Sequence, residues 1–369
     1  MADILVESGF TTEAHPELFD IRAMPPQPSE KKPGQLPESM IRQFFEKGYV
    51  IVDKFFTAEE LEPSRKATED LVEDLAQKLY KAGKLKELHK EHGLFQRLTK
   101  IEEEFPGANI ILHKLGEMPK AYCDLWSNER LLNVIEQMIG PNIAGSPVWN
   151  LRTKTPQNEA TTVPWHQDNG YFDNNAYKVL IPSMWIPLLD ATEENGTLQV
   201  AEYGHKTGRM AKHQCCWGNT WYVMMEEEEM KNTLGIDLEK EIKTCIVPYG
   251  GFILFSNMLP HRSLPNMSKD VRWSLDLRWQ KPDNPDGLWG LKKPVLMRTS
   301  DNPNYKIDWE PFNSVNRHSK QKQTVQGFYE SGEHPEFDTT IQGPWMKKWE
   351  ITHVNRHIDK FREEEAKGH

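Results

Sequence analysis

Apolar residues recur at helical spacing at Leu61, Ala67, Leu71, Leu75 and Leu79, and this stripe predicts one long helix ending near Lys81. Thr57 stands before it as the N-cap, and Glu60 three residues later completes a capping box. Upstream, Ser39 to Phe45 predicts a short helix that ends near Gly48, and Tyr49-Val50-Ile51-Val52 predicts a strand. A second helix is expected from Asn128 to Met138, stopped by Gly140-Pro141, and Ala144 to Thr153 reads as a strand. From there to about residue 280 the pattern is one of short strands broken by Gly, Pro and Asn. It is interrupted at about 205–243, where Glu226 to Glu229 followed by Met230-Lys231 predict a solvated helix. Past Pro282 the chain is rich in Pro and Asn, and Trp345 to Arg362 has the pattern of a helix. Before residue 37, Pro25-Pro26-Gln27-Pro28 and Lys31-Lys32-Pro33-Gly34 predict an irregular arm.

Composition narrows the class. The 369 residues predict about one to two domains, and 37% hydrophobic with 27% charged residues supports a packed core. A net charge of −10 argues against nucleic-acid and anionic-membrane surfaces, both of which need clustered Lys and Arg. Cys123, Cys215, Cys216 and Cys245 follow no zinc or disulfide-framework spacing, and the vicinal Cys215-Cys216 pair is expected as two buried thiols. The start of the chain lacks a basic segment followed by an apolar run, and no stretch approaches ~18 apolar residues. The expectation is a cytoplasmic, reducing setting, with the oligomeric state open and a homodimer among the options.

The candidate chemistry lies in Trp165-His166-Gln167-Asp168, where His166 and Asp168 two apart on a strand would point to one face. Gly250 to Phe255 predicts another strand, and His261 follows the turn Asn257-Met258-Leu259-Pro260. Two His and one Asp on one face of an octahedron leave three positions open, as in non-haem Fe(II) oxygenases. Arg272 follows His261 by eleven residues on the strand Val271 to Trp279, and its planar fork suits a carboxylate. Arg278 shares that face but lies ~20 Å further along at ~3.3 Å per residue, so it is expected to pair with Asp276 or to line the substrate end.

Taken together these motifs resemble the phytanoyl-CoA dioxygenase family of iron- and 2-oxoglutarate-dependent oxygenases. The matching pieces are Trp165-His166-Gln167-Asp168 with Tyr171-Phe172, then Trp185, Asn195-Gly196-Thr197-Leu198-Gln199-Val200, Gly204-His205-Lys206, Gly250-Gly251, His261-x-Ser263-x-x-Asn266 and Arg272. The resemblance implies an α+β fold with a mainly β core: a double-stranded β-helix, or jelly roll, flanked by N-terminal helices. It would occupy residues 37–280 between an irregular arm (1–36) and a C-terminal extension packed on the core (281–369), with residues 205–243 as an insertion or lid. It further implies Fe(II) on His166, Asp168 and His261, 2-oxoglutarate and dioxygen as co-substrates, and Arg272 with Ser263 on the distal carboxylate. Gln167 and Trp185 match co-substrate-lining positions, and Asn150 and Lys154 are weaker matches. His205 matches a histidine that is structural in the family. The implied reaction is oxidation of a C–H bond in a small molecule with release of succinate and CO2.

Tyr171, Lys154, Arg278 and Trp221 are the candidate substrate contacts. The alternatives are a catalytically silent jelly-roll binding protein, or a zinc or cupin-like metalloenzyme on the same triad. Neither alternative accounts for Arg272.

Overall fold

The computed structural model describes residues 24–218, 220–324 and 335–351, together with 363, 366 and 367. Helix α1 (Glu38–Lys47) ends at Gly48, whose φ of 90° closes the helix and turns the chain into strand β1 (Tyr49–Val52). A side chain at Gly48 would collide with the His205 ring, its Cβ lying 2.6 Å from Nδ1. Helix α2 (Ala58–Lys81) starts at the expected capping box: Thr57 Oγ1 accepts from the Glu60 amide, and the Glu60 carboxylate accepts from the Thr57 amide. Its buried stripe runs through Leu61, Ser64, Thr68, Val72, Leu75 and Leu79.

Helices α3 (Arg97–Glu104), α4 (Ala108–His113), α5 (Lys120–Trp126) and α6 (Glu129–Ile139) follow. The last has Asn128 as N-cap and Gly140 as C-cap, as its sequence predicts. The single strand expected over Ala144 to Thr153 is instead two, β2 (Ile143–Gly145) and β3 (Asn150–Lys154). Pro147, which has no N–H to give a ladder, lies in the break. The remaining core strands are β4 (Ser183–Pro187), β5 (Leu198–Ala201), β6 (Gln214–Cys215) and β7 (Val223–Met224). After helix α7 (Glu227–Asn232) come β8 (Ile242–Cys245), β9 (Phe252–Phe255), β10 (His261–Ser263), β11 (Arg272–Gln280) and β12 (Val295–Arg298).

A seven-stranded antiparallel sheet runs β1-β9-β4-β11-β2-β12, with β3 paired to β11 beside β2. A smaller antiparallel sheet runs β10-β5-β8. Strand β11 is central, and its sequence RWSLDLRWQ alternates polar with apolar. Arg272, Ser274, Asp276 and Arg278 therefore share one face, and Trp273, Leu275, Leu277 and Trp279 share the other. The apolar face packs into the main core with α2, α5 and α6. Register adds to the polar face: Lys154, Arg152 and Asn150 lie opposite Arg272, Ser274 and Asp276, while Trp185 and Ser183 lie opposite Asp276 and Arg278. The result is a mixed helical and β protein with a mainly β core.

The end of the chain departs from the pattern. After α8 (Glu310–Asn313) and α9 (Arg317–Thr324), the expected helix from Trp345 is a single turn, α10 (Trp345–Lys348). Trp349 is extended at ψ 150°, and β13 (Glu350–Ile351) joins β6 in parallel to extend a β6–β7 sheet. Trp349 donates its indole N–H to Gly170 O, and Lys348 donates to Phe172 O at 2.8 Å, so this turn grips the backbone beside Asp168. The rest of the expected helix, with His353 and His357, and residues 1–23 of the arm lie outside the described residues. Cys215 and Cys216 form a disulfide rather than the two thiols expected, while Cys123 and Cys245 are free and buried. Among the described residues no helix is long and apolar enough to cross a membrane.

Candidate active site

His166 and His261 meet as an isolated antiparallel bridge: each backbone N–H donates to the other residue's carbonyl, at 3.0 and 2.9 Å. Asp168, expected on a strand, opens a short 3-10 turn (Asp168–Gly170) instead. All three side chains are buried, and their ligand atoms lie within 4.8 Å of one another. Asp168 Oδ1 is 3.8 Å from His166 Nε2 and 3.8 Å from His261 Nε2.

Each imidazole is oriented by its own backbone. His166 Nδ1 donates to Pro164 O at 2.8 Å and His261 Nδ1 to Leu259 O at 2.9 Å, which turns both Nε2 lone pairs toward Asp168. Burial, and for His166 the neighbouring His261, keeps both rings below the usual histidine pKa and hence neutral. Burial alone would raise the Asp168 pKa, but the Arg278 guanidinium holds it below the ordinary carboxylate value. Two neutral nitrogens and one carboxylate oxygen, pre-aimed at a common point, are the donor set a divalent iron takes.

Arg278 does not pair with Asp276. It grips Asp168, with Nε 3.0 Å and Nη2 2.8 Å from Oδ2, and Ser183 Oγ donates to the same oxygen at 2.9 Å. Oδ2 is thus fully engaged, and Oδ1, with one contact to Nη2 at 3.0 Å, faces the imidazoles. Asp276 pairs with Arg152 at 2.6 Å.

His166 and His261 open on a cavity that encloses about 640 Å³ of non-atom space, part of it open to solvent. Arg272, Ser263, Trp185 and Lys154 line it together. Arg272 donates to Ser274 Oγ at 2.7 Å and Gly196 O at 3.1 Å, but among the described residues no carboxylate meets it and its buried Nε has no partner. Burial lowers its pKa, and burial followed by Arg272 and Arg152 lowers that of Lys154. Such a cationic pocket with an orphaned guanidinium N–H fits the distal carboxylate of 2-oxoglutarate. Ser263 Oγ accepts from the Val163 amide at 2.9 Å and leaves its own hydrogen to give.

Other expected positions fall elsewhere. Gln167 points away from the cavity; its amide donates to Met258 O and Arg209 O and accepts from the Ala211 N–H. Asn150 lines an adjoining second cavity, where its Oδ1 accepts from Arg317 at 3.0 Å. Tyr171 and Trp221 border that second cavity, and Trp221 reaches both. His205 is buried against Phe45 O at 3.1 Å, away from the triad. Arg278, Ser183 and Arg317 are contributors whose roles no spacing in the sequence signalled.

The family model described as phytanoyl-CoA dioxygenase (PhyH) matches residues 44–274. A 1-deoxypentalenic acid 11-beta-hydroxylase from Streptomyces arenae is 28% identical over 186 residues, covering 46% of this chain and 60% of that protein. The match thus spans under two thirds of that relative's length. Among solved structures, the apo non-heme monooxygenase ThoJ matches at 17% identity and a TM-score of 0.49, over 77% of this chain and 98% of that one. EctD from S. alaskensis with bound Fe matches at 18% identity and a TM-score of 0.45, over 74% of this chain and 86% of that one. With the family model covering well over half its length, this chain belongs to the phytanoyl-CoA dioxygenase family of 2-oxoglutarate-dependent non-haem iron oxygenases.

Proposed function

We propose that the protein is an Fe(II)- and 2-oxoglutarate-dependent dioxygenase that oxidises a C–H bond of a small molecule, by hydroxylation or a related oxidation, releasing succinate and CO2. The supporting observation is a metal-ready His166–Asp168–His261 triad whose two imidazoles share one cavity with the unmatched Arg272. Hydroxylation is the favoured outcome because the curated relatives are hydroxylases of 1-deoxypentalenic acid.

In this reading His166, His261 and Asp168 Oδ1 hold the iron. Arg278 and Ser183 lock the Asp168 carboxylate so that it offers one oxygen and leaves room for co-substrates. Arg272, Ser263 and Lys154 receive the distal carboxylate of 2-oxoglutarate, with Trp185 beneath the guanidinium, its ring centre 5.0 Å away. Bound iron and 2-oxoglutarate supply the oxidising power from dioxygen. Tyr171, edge-on to His166 at 5.5 Å, and Trp221 shape the substrate side. The proposal includes a jelly-roll core over 37–280, supported by the large antiparallel sheet and the β10-β5-β8 sheet, each supplying site residues. The described residues of the 281–369 extension close the substrate side, since Arg317, Ile341 and Trp345 line the second cavity.

The test is spectroscopic. Apo-protein mixed anaerobically with Fe(II) and 2-oxoglutarate should develop the visible iron-to-keto-acid charge-transfer band, and Arg272→Ala should weaken it at limiting 2-oxoglutarate. A wild-type sample without the band, or a band indifferent to Arg272→Ala, overturns the proposal.

A further inference from the structure

We propose that the substrate carries a single carboxylate seated on Arg317, with an apolar body extending toward Asp168; this rests on the oxygenase reading and names the substrate class for that same site. The second cavity encloses about 630 Å³ of non-atom space, part of it open to solvent. It borders Asp168 and Tyr171 at the metal side and Arg317 and His318 from α9.

The charges in the two cavities do not balance. Arg278 is matched by Asp168 and Arg152 by Asp276. Arg272, Lys154 and Arg317 have no carboxylate partner among the described residues. Arg272 and Lys154 are accounted for by the distal carboxylate of 2-oxoglutarate; Arg317 is not. Arg317 is only 7% exposed. It donates to Pro147 O, Trp149 O, Asn150 Oδ1 and, at 3.5 Å, His318 Nε2, partners that fix the fork in place and bring no negative charge. A guanidinium stays charged in a protein, and a buried charge without a counter-charge is costly. Ferrous iron on the triad would add positive charge nearby, never negative.

The surroundings set the size of that counter-charge. His113 and His318 flank Arg317, their rings 6.1 Å apart. Burial, then Arg152 and Arg317, keep His113 below the usual histidine pKa; burial, then Arg317 and His113, do the same for His318. Both imidazoles are therefore neutral and add no second cation. One unmatched guanidinium calls for one negative charge, which favours a carboxylate over a phosphate dianion. Val148, Phe172, Leu288, Ile341 and Trp345 supply the apolar wall for the rest of the ligand.

The experiment uses the full chain loaded anaerobically with Fe(II) and saturating 2-oxoglutarate, so that Arg272 is already filled. Calorimetric titration compares 1-adamantanecarboxylate with its neutral isostere 1-adamantanecarboxamide. The carboxylate should bind at least tenfold more tightly. Arg317→Gln should cut that preference below threefold without changing the 2-oxoglutarate charge-transfer band, and Arg317→Lys, which keeps the charge, should retain part of it. Equal binding of the two probes, binding of neither, or a full preference surviving Arg317→Gln overturns the inference. Should Arg317→Gln fail to fold, the wild-type probe pair and Arg317→Lys decide. The two readings fail separately: a missing band sinks the oxygenase, whereas a normal band with no carboxylate preference sinks only the anion seat.

Discussion

Replacing Arg278 with Met keeps most of the aliphatic volume and removes the charge that faces Asp168. In the folded chain the pair is almost fully buried, with side-chain exposures of 3% and 4%, and Arg278 makes contacts of 2.8 to 3.0 Å to both carboxylate oxygens. Removing one partner of a buried pair leaves an uncompensated charge, which costs about 3–5 kcal/mol. Ser183 alone is left on the carboxylate, and Val148 O loses its donor. Metal affinity is pulled two ways. Looser orientation of a ligand costs about 10–100-fold, or about 1.4–2.7 kcal/mol. The stranded carboxylate, however, regains most of about 3–5 kcal/mol when a divalent cation replaces the guanidinium, so the charge effect wins. Urea unfolding in EDTA should therefore show Arg278→Met about 3–5 kcal/mol less stable than wild type, and saturating Co(II), a redox-stable substitute for Fe(II), should recover about half of the deficit. By linkage, Co(II) should bind the variant more tightly than wild type. Ser183→Ala, which removes one hydrogen bond and no charge, should show a smaller loss. An apo variant within 1 kcal/mol of wild type, or a deficit that Co(II) leaves untouched, refutes the reasoning.

Two further outcomes follow from single contacts. Gly196 has φ +80°, its carbonyl accepts from Arg272, and an added Cβ would lie 2.5 Å from Leu264 O and 2.7 Å from Lys154 Cδ. Gly196→Ala should therefore raise the 2-oxoglutarate half-saturation about tenfold, ~1.4 kcal/mol, while Co(II) titration stays within twofold; an unchanged 2-oxoglutarate affinity would contradict this. Glu73 accepts from Gln77 and Lys90 and pairs with Arg97, and these contacts, in that order, bring its pKa from the ordinary 4.5 down to about 2. Its folded pKa is depressed, so its contribution is present above about pH 4.5 and is lost as pH falls toward 2. The stability gap between wild type and Glu73→Gln should shrink between pH 6 and pH 3 in urea midpoints; a gap constant across that range would count against the assignment.

Where a feature depends on neighbours a few residues away, the sequence alone determined it. The Thr57–Glu60 capping box, the helix it starts and the alternation of β11 all follow from local spacing, because caps and pleats repeat at fixed periods. The triad was legible too, since its motif pieces recur in family order, although Asp168 sits on a turn rather than a strand. What only the tertiary structure decided is which charge meets which. Arg278 reaches Asp168 across 110 residues and Arg317 reaches Asn150 across 167, and no periodicity encodes such pairings. Gln167 turned away from the cavity because the 209–211 loop and Met258 satisfy its amide, a contact made only once those segments pack. Residues 349–351 broke from their helical pattern for the same reason: pairing with β6 and the bonds of Lys348 and Trp349 to the loop after Asp168 outweigh a local propensity worth a few tenths of a kcal/mol per residue. Charges buried in a shared cavity must balance across the whole fold, and that balance is set by three-dimensional proximity, which the order of residues along the chain leaves open.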